Sequence, residues 1–279
     1  MDVLVCIPSY GRDHWEYVDR LLAEYRSMRH DVDVVLDLTE ERPEGWPDPV
    51  VRTRQHDPSI EMELVYEHRD VMRDALGEYD LYVYVEDDVL ITEDNLDAYV
   101  EVNDRLPDGV PTGFIRFERV DGDETPYLFD HSLRQRTLLE SNAEYGGERY
   151  FRLWNLHQGS WVLTDDQLRT VVAHDAFGRE PGPSKHFAKP YRLPQLYGIL
   201  ESGASDVYTN CGLDPKAFPI EGFERLLVHH LPNKYVPTWG GRDDPRPPTP
   251  TDLRALAERG EGWRSQLAGE YRLLRRLLP

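Results

Sequence analysis

The chain has almost no cysteine. Two thiols, Cys6 and Cys211, stand far apart in 279 residues and make no metal-ligand spacing. That excludes a disulfide framework and a cysteine-rich zinc site, and a reduced, cytoplasmic protein is expected. Lysine is scarce too, and almost all the basic residues are arginine. No stretch carries the concentrated basic face that a phosphate backbone requires, so nucleic acid is not an expected partner. No apolar run approaches the length of a membrane span, which argues against a transmembrane segment. The opening, MDVLVCIPSYGR, has neither a basic n-region nor a cleavage site, so no signal peptide is expected. No internal repeat is visible.

Negative charge is abundant. Fifty-two acidic residues face 32 basic ones, for a net charge of −20. This balance reads as a surface adapted to high salt, where carboxylates hold water, in preference to an acidic face for a basic partner. The length allows one large or two small domains with a sizeable core.

The most informative stretch is Tyr79–Thr92, YDLYVYVEDDVLIT. A β-branched and aromatic run, expected to be a buried central strand, ends in Glu86, Asp87 and Asp88. Three carboxylates crowded at a strand end repel one another and call for a cation. On a continuing strand Glu86 and Asp88 point one way and Asp87 the other. Hard oxygen ligands suit Mn²⁺ or Mg²⁺, with Asp88 the leading ligand and its partner free for a ribose hydroxyl or a metal-bound water.

Around this strand the first half alternates. Val3–Pro8 is a strand that stops at a Pro-Ser-Tyr-Gly-Arg turn; Asp13, with Glu16, reads as the cap of a helix carrying Trp15, Val18, Leu21, Leu22 and Tyr25. Asp33–Leu38 is a second strand ending at Asp37, and Ile60–Leu76 a second helix closed by Gly77. Thr92 caps a third helix. The pattern predicts an α/β fold: a Rossmann-like, mostly parallel central sheet with helices on both faces and ligands beyond the carboxyl ends of its strands. The second half is less regular. Strands are expected at Gly113–Val120, Tyr127–Asp130, Ser160–Leu163 and Phe223–His230, a helix follows Thr164, Phe177–Pro190 reads as a loop and Leu193–Leu200 as a helix. Gly240–Pro250 reads as a linker, followed by amphipathic helices over Leu253–Leu278. The cationic, apolar end YRLLRRLLP is expected to pack on the domain, with a weak membrane-surface contact as the alternative.

VLVCIPSYGR, a second strand ending in aspartate, and DLYVYVEDDVLIT together resemble the nucleotide-binding half of GT-A glycosyltransferases. In that family a strand ending in a D-x-D-type motif, here E-D-D, holds Mn²⁺ or Mg²⁺ and the diphosphate of a nucleotide sugar. The resemblance spans residues 1–106 and, more loosely, Leu153–Tyr235. It implies a single GT-A catalytic domain over residues 1–239, with a nucleotide and metal half (1–106) and an acceptor half (107–239), then a linker and helical extension (240–279). It implies that Pro8, Ser9, Tyr10 and Arg12 cup the base and ribose, that Asp37 contacts the base, and that Arg69, after His68, faces the nucleotide. By the same resemblance Glu86 and Asp87 serve the nucleotide and metal site. Gly159 lies in a loop where donor and acceptor meet the backbone, lined by His157 and Gln158. One of His229 and His230 completes the metal site beside Glu86 and Asp88, and Lys234 meets a phosphate; Lys185 and Lys189 are further candidates.

The implied reaction moves a sugar from a nucleotide-diphosphate sugar, UDP- or GDP-linked, to a hydroxyl on a glycan or other acceptor. An inverting enzyme needs a carboxylate base, for which Glu201 and Asp206 are best placed, ahead of Asp165 and Asp166. The family's usual acidic pair is not evident in KPYRLPQLYGILE. Two alternatives stand beside this reading: a sugar-nucleotide nucleotidyltransferase, and a non-catalytic carbohydrate- or metal-binding module.

Overall fold

The computed structural model describes residues 1–46, 51–131, 138–187, 194–239 and 246–260. The expected Lys189 contact and everything beyond residue 260, including the YRLLRRLLP end, lie outside the described residues.

In chain order the first half runs β1 (Asp2–Ser9), α1 (Trp15–Ser27), β2 (Asp31–Leu38), β3 (Val51–Gln55), α2 (His68–Asp74), β4 (Leu81–Val85), β5 (Val89–Leu90) and α3 (Glu93–Asn103). The second half runs β6 (Ile115–Val120), β7 (Asp123–Tyr127), β8 (Leu138–Tyr145), β9 (Glu148–Leu153), β10 (Ser160–Thr164), α4 (Asp165–Val172), β11 (Ser184–Phe187), β12 (Pro194–Tyr197), α5 (Ile199–Gly203), β13 (Ala217–Pro219), β14 (Leu227–His230) and α6 (Pro250–Glu258).

The central sheet has the order β10-β4-β1-β2-β3. β1 pairs in parallel with β2 and β4, β2 in parallel with β3, and β10 joins antiparallel at the edge beside β4. The chain is thus an α/β protein with a mostly parallel sheet, as expected. Successive residues of β1 and β4 feed two separate cores. Val3, Val5, Ile7, Leu81, Val83 and Val85 pack on the α1 and α3 side, against Leu21, Leu22, Leu96 and Tyr99. Leu4, Cys6, Tyr82 and Tyr84 pack on the other side, with Met72 of α2 and Leu168 and Val171 of α4. Burial on both faces explains the unbroken apolar runs. Each such aliphatic side chain contributes about 1.5–3 kcal/mol of burial.

A second sheet, β5-β14-β6-β7, carries the chain from the end of β4 to the histidines of β14. β8, β9 and β13 form an antiparallel sheet, and β11 and β12 a hairpin. Leu253, Leu256 and Ala257 of α6 pack into the same core as β1.

Several expected elements are corrected. Trp15–Ser27 is capped by His14, whose side chain makes no cap hydrogen bond, because that imidazole is engaged elsewhere. The helix expected over Ile60–Leu76 is two pieces, a 3-10 stretch Pro58–Tyr66 and the short α2. Glu61, at φ 45°, kinks the 3-10 stretch near its start. The strand expected at Tyr127–Asp130 is displaced to Asp123–Tyr127, and Phe223–His230 opens as a 3-10 turn before β14. The loop expected from Phe177 contains β11, and Leu193–Leu200 contains β12 before α5 begins. Strands β3, β8, β9 and β13 were not foreseen.

Candidate functional site

β4 ends at Val85, opposite Ser160, the first residue of β10. Glu86 N donates to Gly159 O at 2.8 Å, and Val89 N donates back to Glu86 O at 3.1 Å, closing a turn over the acidic triplet. Strand alternation therefore does not govern these three carboxylates. Asp87 and Asp88 come together with His14, their ligand atoms within 4.8 Å of one another, while Glu86, in the same cleft, bonds to Arg116.

The turn opens onto a cleft of about 620 Å³ at the carboxyl ends of β1 and β4. Pro8, Tyr10, His14, Glu86, Asp87, Asp88, Arg116, Asp130, His157, Glu201, His230 and Lys234 are among its lining residues. On one side, His14 Nδ1 lies 2.8 Å from Asp87 Oδ1 and 3.9 Å from Asp88 Oδ2. His230 Nε2 reaches the same Asp88 oxygen at 3.2 Å. The His230 ring is fixed from behind, its Nδ1 2.6 Å from Glu118 Oε1. Glu118 is fully buried and also accepts the backbone N–H groups of Lys234, Tyr235 and Val236. Burial works to raise the Asp88 carboxyl, but the His230 hydrogen bond and the His230, His14 and Lys234 charges hold it below its ordinary value. The hydrogen bond to Asp87 lifts the His14 imidazole.

On the other side, Arg116 is buried and clamps Asp130 with two hydrogen bonds, Nε to Oδ2 at 2.9 Å and Nη2 to Oδ1 at 3.1 Å. Its Nη1 reaches Glu86 Oε2 at 3.4 Å. Burial pushes the Glu86 carboxyl up to about 7 against the opposing pull of Arg116. Gly159 is required here: its φ is +60°, and a Cβ would lie 2.7 Å from Glu86 Oε2 and 2.9 Å from Arg116 Nη1. Gly159 thus supports the Glu86–Arg116 pair from behind the cleft. Gln158 is buried and holds Arg116 N at 2.8 Å. Burial brings the His157 imidazole down to about 3, so it lines the cleft as a neutral ring.

Other expected site residues lie elsewhere. Ser9 is buried within β1. Arg12 points out to Glu40 and over the Trp15 ring. Asp37 is buried against His56 and Arg54 behind the sheet end. Arg69 does not face the cleft; it turns into the core, donating to Phe177 O at 2.9 Å and pairing with Asp206, while His68 is packed between Tyr84 and Trp161. His229 stacks on Phe117 and contacts Asn233, so His230 alone of the pair reaches Asp88. Asp206 is withdrawn as a base: it has no exposure and is paired with Arg179 at 2.6 Å and Arg69 at 3.3 Å. Asp165 is taken up by Arg169 at the start of α4. Glu201 lies on the cleft wall and, among the described residues, has no ion-pair partner; the same holds for Glu61.

Sequence reasoning missed His14, Arg116, Glu118 and Asp130. The signal for two of them was present. In GFIRFERV, Arg116 and Glu118 alternate with Ile115 and Phe117, placing opposite charges on one face of a strand that is otherwise buried. His14 was hidden by its neighbour Asp13, the better cap by residue type.

No family model matches the chain, and no curated protein matches it. Among solved structures it is similar to S. aureus TarS 1-349 in complex with UDP-GlcNAc, with 12% identity, covering 61% of this chain and 47% of that one, at a TM-score of 0.33. It is likewise similar to CMP:2-keto-3-deoxy-manno-octonic acid synthetase complexed with CTP (12% identity, 61% and 77% coverage, TM-score 0.34). A mycobacterial protein aligns over 82% of this chain and 65% of its own at a TM-score of 0.40 and 13% identity. The chain spans about half the length of the TarS 1-349 chains it matches. Likenesses this loose leave fold and function to rest on the sheet and the cleft themselves.

Proposed function

We propose that the chain is a metal-dependent glycosyltransferase that moves a sugar from a nucleotide-diphosphate donor to a hydroxyl acceptor. One observation carries the reading. The ends of two parallel strands and the late strand β14 deliver Asp87, Asp88, His14 and His230 to one face of a single cleft, with Lys234 beside them. Ligands of α/β sheets sit at such strand ends.

The donor set fits a divalent ion, since potential ligand atoms of His14, Asp87 and Asp88 lie within 4.8 Å of one another. Asp87 and Asp88, with His14, would hold it, and His230 lies against Asp88. A metal bound there supplies positive charge for a leaving diphosphate. The protein's own groups do the rest. Tyr10, half exposed at the tip of β1, offers a ring face to a base. Lys234 and Arg116 add positive charge to the cleft where negative charge collects. Glu201, unpaired on the wall, is the proposed acceptor base in place of Asp206.

The test is a thermal-shift screen of nucleoside diphosphates with and without Mn²⁺, at high salt. A ligand at about 100 times its Kd adds about 2.7 kcal/mol, a rise of several degrees. Stabilisation by UDP or GDP only with Mn²⁺, lost in Asp88→Ala while that variant keeps its own unfolding transition, is the expected result. A flat response to every nucleotide, or pyrophosphate release from a nucleoside triphosphate and a sugar phosphate, would overturn the reading.

A further inference from the structure

Of the large apolar side chains exposed among the described residues, Tyr10, Leu196, Leu200 and Tyr235 line the cleft, and only Met1, Met62 and Val120 lie outside it. A single exposed leucine means little. Here Leu196 is 73% exposed and Leu200 43%, and both belong to one short segment, the end of β12 and the start of α5. Leu64 and Val65 of the 3-10 stretch line the cleft with them. α5 is pressed onto that stretch, since a Cβ on Gly203 would lie 2.5 Å from Val65 Cγ2. The cleft thus has an aliphatic wall on a chain whose net charge is −20. An apolar surface of this kind, concave and rimmed by charge, marks a ligand contact.

The wall is tied to the rest of the cleft. Tyr197, between the two leucines, accepts the Leu156 N–H at 3.0 Å and donates to Asn155 Oδ1 at 3.2 Å, which joins β12 to the loop before β10. Ser184 of β11 and Ser202 of α5 share a 2.7 Å hydrogen bond. Glu201 stands in the same wall. Its Oε2 lies against Gly198, where a Cβ would be 2.6 Å away, so the proposed base sits on the segment that carries the leucines. Leucine offers no hydrogen bond, and a sugar laid on it would lose water from its hydroxyls without replacement. An aliphatic chain gains from the same contact. Glu61 and Glu201 on this wall repel an anionic acceptor, and the net charge of −20 opposes docking on an anionic lipid surface.

We infer that the acceptor is a neutral amphipathic alcohol, free in solution, whose aliphatic chain lies along Leu196 and Leu200 while the hydroxyl at the head of that chain meets the Glu201 carboxylate. This rests on the reading of the cleft as a glycosyltransferase site. In the transfer the acceptor oxygen bonds the anomeric carbon of the donor and its proton passes to Glu201. The bond from that carbon to the diphosphate breaks, and the diphosphate leaves with the electron pair. Leu196 and Leu200 take no part in these bond changes; they set which alcohol is accepted.

The experiment is calorimetric titration of the purified chain with 1,2-alkanediols from propanediol to octanediol, with UDP or GDP and Mn²⁺ present. Glucose and maltose are titrated alongside. The variants are Leu196→Ser and Leu200→Ser, and the mass of wild type and variants in solution is measured by analytical ultracentrifugation. In the wild type, affinity should rise by up to about fourfold per added methylene, and octanediol should bind more tightly than either sugar. Each variant should bind octanediol about fivefold or more weakly, bind propanediol as the wild type does, and keep its thermal stabilisation by nucleotide and Mn²⁺. Affinity independent of chain length, or maltose bound more tightly than octanediol, overturns the inference; if nucleotide with Mn²⁺ still stabilises the chain, the glycosyltransferase reading stands without it. A wild-type dimer that becomes a monomer in Leu196→Ser also overturns it, by assigning the leucines to a contact between two copies. Chain-length dependence with no response to any nucleotide leaves an apolar site without a donor and overturns both.

Discussion

Lys216 shows how a single side chain can be unfavourable and still retained. It is 1% exposed, its Nζ has no hydrogen-bond partner among the described residues, and it rests 5.0 Å from the Tyr208 ring. Gly113 makes room for it, since a Cβ there would lie 2.5 Å from Lys216 Cδ. Burial, helped by the nearby Arg116 charge, pushes the ammonium from an ordinary 10.5 down to about 7. Between these values the unfolded chain holds a proton that the folded chain has released, so this group makes stability rise with pH across that window. Below it both states are protonated and the full cost of burying the charge is felt. Lys216→Met keeps the length of the side chain and removes the amine. The variant should be more stable than wild type at pH 7, with the difference shrinking toward pH 10, as measured by urea unfolding at each pH. A pH-independent difference would show that the amine keeps its proton in the fold. Residues of this kind are illegible in the sequence. Lysine 216 looks like any surface lysine, just as Asp206 looks like a free carboxylate until Arg69 and Arg179 are seen to enclose it.

At the level of elements, long and strongly patterned segments were legible. β1, β2, β4, α3 and α4 follow from apolar runs and capping boxes at Thr92 and Thr164. β8 and β9 were not, because LLESNAEY and ERYFRL mix charge into strands whose faces are only partly covered. The acidic turn was legible as a site but not in its geometry, since the turn at residues 86–89 overrides strand alternation. One element contact links stability to the cleft. Asn95 completes the capping box of α3 and also donates to Arg225 O at 2.8 Å and Leu227 O at 3.0 Å, at the start of β14. Thr92→Ala loses the cap alone and should cost about 1 kcal/mol. Asn95→Ala also strands two backbone carbonyls at a buried position and should cost about 3 kcal/mol. Urea midpoints at constant m-value check this ordering. Equal losses in the two variants would mean that β14 does not depend on α3.

Across the whole molecule, two electrostatic effects oppose each other as salt rises. The first is the set of surface ion pairs. Arg29 with Glu93, Arg105 with Glu101 and Glu148, and Arg254 with Glu221 and Glu224 are all solvated, and such pairs are worth about 0–1 kcal/mol each and weaken with salt. The second is self-repulsion among the carboxylates left over. With 52 acidic residues against 32 basic ones, most arginines can find a partner and many carboxylates cannot. Repulsion of this kind acts between every unpaired carboxylate and its neighbours within a screening length, about 10 Å at 0.1 M salt and about 3 Å at 1 M. With a net charge of −20 on a chain this size, the repulsive sum is expected to outweigh these weak exposed pairs. The melting temperature should therefore rise by roughly 3–6 °C between about 0.1 M and about 1 M KCl, equivalent to about 1–2 kcal/mol. Screening saturates once the Debye length falls below the spacing of surface carboxylates, whereas general salting-out continues to grow with concentration and is stronger in sulfate than in chloride. A rise that levels off in KCl and is matched by sulfate at equal ionic strength assigns the effect to charge. A melting temperature that stays flat or falls over this range would mean that the carboxylates are not a burden on the fold, and that the acidic surface serves a basic partner instead.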